Sequence, residues 1–182
     1  MLLRQWLTLA TAFWKPRLGL LDECAIALRV LPNDLDVNLH LTNSRYLLAM
    51  DVGRWTFALR TGMARVMHER RWFPLLGSAT LRFRKGLDPW ERYELRTRMV
   101  AWDEKWCWFE QRFCVGETLH AVGRVKVLFR GPAGNVPTAE LAAACGVSGL
   151  EATRLPEAIR LWQEAEEAER RAAEVATAGE PR

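Results

Sequence analysis

The run Asp34-Leu35-Asp36-Val37-Asn38-Leu39-His40-Leu41-Thr42-Asn43-Ser44-Arg45-Tyr46 decides how the chain is read. Asp34, Asp36, Asn38 and His40 occupy alternate positions. An extended backbone points alternate side chains the same way. The spacing therefore predicts two carboxylates, an amide and an imidazole converging on one side of a loop. Just beyond, the pattern turns helical: Tyr46, Met50, Gly53 and Phe57 fall on one stripe. The loop thus feeds a helix N-terminus, where free backbone N–H groups and the dipole favour negative charge. The helix is expected over 43–61, with Trp55 and Leu59 widening its buried face and Gly62 just past its end.

Around this centre the elements follow in order. Residues 22–31 read as a strand that Pro32-Asn33-Asp34 ends. Residues 63–71 read as a short helical segment. Strands are expected over 78–87, 92–102, 105–115 and 118–130, separated by tight turns such as Val115-Gly116-Glu117-Thr118. In the last strand Leu119, Ala121, Val125, Val127 and Phe129 share one face, and Arg124 and Lys126 take the other. One long helix followed by an antiparallel meander is an α+β layer architecture, with the helix lying on a curved sheet of about five strands. The organisation reads as an N-terminal arm over 1–21, a domain over 22–131 and a helical extension over 132–182. In the extension, Thr138–Cys145 forms one helix and Pro156 opens another.

Composition bounds the function classes. Apolar residues make up 49% of the 182 and charged ones 26%, the balance of a soluble globular protein. The net charge of +4 suits an anionic partner without identifying it. Nucleic-acid binding calls for a denser basic stripe with exposed aromatics, so no nucleic-acid partner is expected. Arg65, Arg70, Arg71, Arg82, Arg84 and Lys85 either face phosphates or lie on solvated faces. The four cysteines form no Cys-x-x-Cys pair and read as reduced thiols of a cytoplasmic protein. The apolar run from Leu7 to Phe13 is too short to span a bilayer. Trp6 and Trp14 with Arg4, Lys15 and Arg17 either pack as an arm or rest on a membrane surface.

The cluster itself admits several chemistries. Asp34-x-Asp36-x-Asn38 opens like a calcium loop, but Leu39 stands where Gly is needed and Arg45 where a bidentate Glu is needed. A zinc site fails because only His40 is at hand. What remains is an acid/base site, or a set of turn caps beside a core histidine.

The string from Asp34 to Leu47 resembles the hot-dog acyl-CoA thioesterase signature, Asp-x-Asp-x-x-Gly-His-Val-Asn-Asn-x-x-Tyr-Leu. Its Asp-x-Asn-x-His core is also similar to that of plant acyl-ACP thioesterases. The resemblance covers roughly residues 22–131, including Leu81-Arg82-Phe83-Arg84. It implies a hot-dog fold: a long central helix wrapped by a curved antiparallel sheet. It also implies hydrolysis of an acyl-CoA or acyl-ACP thioester without metal or redox cofactor, in a homodimer. By the same resemblance Asp36 is the catalytic carboxylate, Asn38 and His40 assist it, and the Asn43 backbone N–H holds the oxyanion. Tyr46, Arg82 and Arg84 are the expected substrate contacts. Two departures stand out: Leu39 replaces the glycine before the histidine, and Asp88 is a loose substitute for a further glutamate of the plant enzymes. Hydratases of the same fold resemble Asp-x-Asn-Pro-x-His, with a proline that is missing here. A non-catalytic hot-dog module that binds acyl chains or a protein partner is the alternative to a hydrolase.

Overall fold

The alternation through residues 92–131 is realised as three consecutive antiparallel strands, β3 (Arg92–Trp102), β4 (Cys107–Val115) and β5 (Thr118–Gly131). They form the middle of a six-stranded sheet in the order β1-β3-β4-β5-β2, seen in a computed structural model that describes residues 2–149 and 155–178. β1 is Cys24–Arg29 and β2 is Phe73–Phe83; a short β6 (Gly134–Val136) pairs with β5. Register shifts interrupt the ladders at Leu76/Ser78, Met99/Ala101 and Phe113/Cys114. Bulges of this kind bend strands and raise their twist, which curls the sheet. On its outer face Glu110 accepts hydrogen bonds from Arg98 (3.0 Å) and Arg124 (2.8 Å) on the two flanking strands.

The central helix, α2 (Asn43–Arg60), lies on the concave face and buries Tyr46, Met50, Gly53 and Phe57, the stripe expected of it. Gly53 sets how closely it approaches. A Cβ there would come within 2.7 Å of Thr97 Oγ1 and 2.8 Å of Gln111 Nε2. With only a hydrogen at that point, Gln111 Nε2 reaches the helix backbone and donates to the Met50 carbonyl at 2.9 Å. The buried face is narrower than expected: Trp55 is 46% exposed.

α1 (Leu2–Thr11), within the stretch read in sequence as an N-terminal arm, packs beside α2. Arg60 holds the segment that follows by donating to the Pro16 carbonyl, and Phe13 and Trp14 are exposed. The side chains of Arg4 and Trp6 lie outside the described residues. α3 is Met63–Arg70 and α4 is Thr138–Ala144. The main unit takes in 1–152, so β6 and α4 belong to it rather than to a separate extension. The second unit, 153–182, contains α5 (Glu157–Ala178), which carries internal Arg160–Glu164 and Arg170–Glu174 ion pairs. Among the described residues no helix is long and apolar enough to cross a membrane.

β2 starts five residues earlier than its pattern suggests and is an open edge. Phe73, Leu75, Leu76 and Phe83 on it are exposed, as are Leu47 and Trp55 on α2.

Candidate active site

The four polar residues do not converge by strand alternation. Pro32 opens a 3-10 turn over Pro32–Asp34, which breaks the extended run at its start. Asp34 is thereby turned into the core, 1% exposed. Its Oδ2 accepts from the Leu31 N–H (3.1 Å), its Oδ1 lies 3.4 Å from Arg45 Nε, and its carbonyl accepts from the Thr42 N–H. Asp34 therefore ties the turn to the first turn of α2, a structural task.

Leu35 and Leu41 then pair as an isolated bridge and close a tight loop over 36–40. Asp36 sits at its base. Its Oδ1 accepts from the Asn38 N–H (2.8 Å) and the His40 N–H (3.2 Å), so backbone groups hold this carboxylate, not the side chains of those residues. Among the described residues its Oδ2 has no hydrogen-bond partner. The loop closes because Leu39 takes φ 58°, the left-handed conformation that a glycine would adopt without penalty. The substitution thus leaves a glycine-like path intact and strains it.

His40 turns away from Asp36. Its ring packs on Gly86, where a Cβ would meet Cδ2 at 2.7 Å, and its Nε2 lies 3.5 Å from Asp88 Oδ1. Asp88 is the residue whose counterpart in sequence was loosest, yet it is the carboxylate that the fold brings to His40. A second histidine braces this loop: His120, 1% exposed, has its Nδ1 2.9 Å from the Gly86 carbonyl. Nothing in the spacing of the sequence singles out His120, since its partner lies 34 residues away. The Asn38 side chain is exposed.

Asn43 is the first residue of α2. The preceding cap, Thr42, makes no side-chain cap bond. Among the described residues the Asn43 N–H has no partner, so the start of the helix presents free donors beside the loop. Tyr46 is placed differently from a substrate contact. It is 2% exposed, with Phe83 and Phe113 packed edge-on against its ring. Burial is the main cause that pushes its hydroxyl up to about 12. In the single chain Tyr46 is a core residue. Arg82 is exposed on β2, on the face opposite Phe83, and Arg84 is exposed one residue past the end of that strand.

A cavity of about 210 Å³ opens farther along α2, between that helix, α3 and the start of β2. Trp55, Phe57, Met67, Leu76 and Phe109 line it, together with Asp51 and Arg54. Arg54 reads in sequence as half of a surface pair with Asp51. Instead its guanidinium reaches inward and donates to Gln111 Oε1 at 2.7 Å while pairing with Asp51. Burial pulls its pKa down against the opposing pull of Asp51. The signal that could have revealed it is Gln111, a polar residue on the inner face of an otherwise apolar strand.

Comparison with known proteins places these features in context. A family model described as the thioesterase-like superfamily matches residues 30–163. The chain is 34% identical over 143 residues to protein THEM6 of Xenopus laevis, a match covering 79% of this chain and 68% of that protein. To protein THEM6 of Danio rerio it is 37% identical over 108 residues, covering 59% of this chain and 54% of that protein. The chain thus spans from about half to about two thirds of the length of these curated relatives. A solved gentisyl-coenzyme A thioesterase superposes with a TM-score of 0.58 at 19% identity, over 68% of this chain and 99% of that one. At that identity the likeness concerns the fold: a hot-dog domain.

Proposed function

The chain belongs to the thioesterase-like superfamily, and on that footing we propose that it hydrolyses an acyl-CoA or acyl-ACP thioester, with Asp36 as general base or nucleophile. One observation carries the reading. Asp36 is held by two backbone N–H bonds to one oxygen, with the other oxygen free, and the Asn43 amide at the nearby helix start has no partner among the described residues.

A carboxylate fixed this way can draw a proton from water as the water oxygen bonds to the thioester carbon. Alternatively it attacks that carbon itself, and water then cleaves the anhydride. In both cases the C–S bond breaks, and the carbonyl oxygen carries negative charge while it does so. The Asn43 N–H and the dipole of α2 suit that charge. His40, oriented by Asp88, suits delivery of a proton to the departing thiolate, and Asn38, exposed on the same loop, suits an assisting role. Arg82 and Arg84 are exposed donors of the kind that hold a carrier's phosphates. Four unpaired cysteines support a reducing, cytoplasmic setting.

The exposed edge of β2 supports a homodimer. Unpaired edges with apolar side chains invite a second strand. A two-fold axis through paired β2 edges would run the two α2 helices antiparallel. The Asp36 loop of one copy would then lie toward the cavity of the other.

The test is thiol release from a panel of acyl-CoAs by the wild type and Asp36→Ala. Loss of a working base costs about 10²–10⁴-fold in rate. Equal rates in both proteins would sink the assignment. One observation favours the second reading, a module that binds acyl chains without turnover: two backbone bonds to one carboxylate oxygen are also what a plain turn cap makes. Saturable binding of the panel with no thiol release supports that alternative.

A further inference from the structure

The stretch that packs along α2 is one-sided in charge. Residues 1–21 contain Arg4, Lys15 and Arg17 and no aspartate or glutamate, although the chain has 22 acids. They carry +3 of the chain's net +4. The described side chains divide by face. Leu9 packs against the core and Ala12 is buried. Leu7, Phe13 and Trp14 turn outward, and the two rings are 73% and 82% exposed. Leu7, Thr11 and Trp14, all exposed, follow at spacings of four and three, one stripe of a helical path. Lys15 and Arg17 come next. Both are exposed, and neither has a carboxylate partner among the described residues.

This is not a loose tail. Thr8 shares a small cavity with Leu41, Arg45 and Ala49 near the start of α2. At the far end Arg60 donates twice to the Pro16 carbonyl, at 3.0 and 3.1 Å, and its own carbonyl accepts from the Leu18 N–H at 3.0 Å. Asp22 Oδ2 accepts from the Gly19 N–H at 2.7 Å. From Arg45 to Arg60 is about 22 Å of helix, and the stretch is tied at both ends of that length. The fold therefore holds the two rings out in solvent and forgoes the large gain of burying them.

The occupant follows from the chemistry. Aromatic rings flanked by Lys and Arg, with acids excluded, match the boundary of a bilayer. There the rings sit at headgroup level and the cations meet anionic phosphates. A second copy fits badly, because two such stretches would set cation against cation.

We propose that residues 7–17 rest this domain on an anionic phospholipid surface, with Phe13 and Trp14 entering the headgroup layer and Lys15 and Arg17 meeting the lipid phosphates. With ten residues, α1 is long enough to lie on that surface and too short to cross it.

The full chain is sedimented with vesicles of phosphatidylcholine alone, and of phosphatidylcholine and phosphatidylglycerol in equal parts. Binding to the mixed vesicles is expected, weaker as salt is raised. Lys15→Ala with Arg17→Ala should lower that affinity about 25-fold, fivefold for each cation beside an anionic surface. Phe13→Ser with Trp14→Ser should lower it by about 10-fold or more. All four positions are exposed, so melting temperatures should stay near that of the wild type. Binding needs no turnover, so it stands or falls apart from thioester hydrolysis. Thiol release from a dissolved thioester should be the same in both double variants and the wild type. Absence of binding to the mixed vesicles overturns the inference, and so does binding that both double variants retain. A dimer in light scattering that Phe13→Ser with Trp14→Ser dissociates, without vesicle binding, assigns the stretch to a second copy and overturns it as well.

Discussion

Gly86→Ala isolates the position of His40 from everything else at the site. Gly86 is not at positive φ, so its backbone accepts an alanine. The new Cβ would lie 2.7 Å from His40 Cδ2, 3.1 Å from Cγ and 3.3 Å from Nε2. Carbon atoms rest about 3.5–4.0 Å apart, so the ring must retreat by about 1 Å. It has room to do so, since the side chain is 48% exposed. The retreat costs about 0.5–1.5 kcal/mol if the ring leaves its rotamer. Replacing glycine stiffens the unfolded chain and returns about 0.4–1 kcal/mol. At about 2–4 °C per kcal/mol for a chain of this size, Tm should stay within about 4 °C of wild type. The 3.5 Å contact with Asp88 is lost. A displacement of about 1 Å in a catalytic group can cost 10²-fold, so kcat/KM on a cleaved acyl-CoA should fall by about that factor. The assay is thiol release alongside a melting curve. Activity within about threefold of wild type would refute a role for His40 in the reaction. A Tm drop beyond about 10 °C would refute the claim that the ring gives way cheaply.

Leu39→Gly should stabilise the fold. Leu39 is 64% exposed and sits at φ 58°. Relief of about 1–2 kcal/mol of left-handed strain outweighs the added freedom of the unfolded chain. A lower midpoint in urea would contradict this. Leu75→Lys on the edge of β2 should shift a dimer toward monomer in light scattering, because a lysine on an edge strand opposes pairing; an unchanged mass places the interface elsewhere. Thiol reagent at pH 8 should find no more than one fast cysteine, Cys145, because Cys24, Cys107 and Cys114 are buried. Burial also pushes the Cys107 thiol up to about 12. All four should react in denaturant, and several fast thiols in the native protein would argue against this core.

Much of the sheet was legible because β3 and β5 alternate cleanly, and α2 because one stripe holds its period. The start of β2 was hidden by Pro74 and Gly77, which read as breakers. Both are tolerated there because the strand is an edge and a register shift falls between Leu76 and Ser78. The site was legible at Asp36 and less so around it. Asp34 and Asp36 look equivalent by spacing, but the turn begun by Pro32 sends one into the core and leaves the other at the loop. Asp88 and His120 join His40 through Gly86, over separations that no local pattern carries. Arg54 was misread because i,i+3 pairing with Asp51 is usually a surface feature; here the close seat of the helix at Gly53 put Gln111 within its reach.

That close seat also governs traffic. At Gly53 the helix rests directly on Thr97 and Gln111, and at Gly123 the sheet rests against Met50. No acyl tail can thread beneath the rod from one end to the other, because the middle is plugged by backbone against side chain. On the proposed reading, cargo would have to enter from the flank of α2, by way of the cavity beside α3. Relatives that differ in appetite should therefore differ in the residues along that doorway, while the plug stays small.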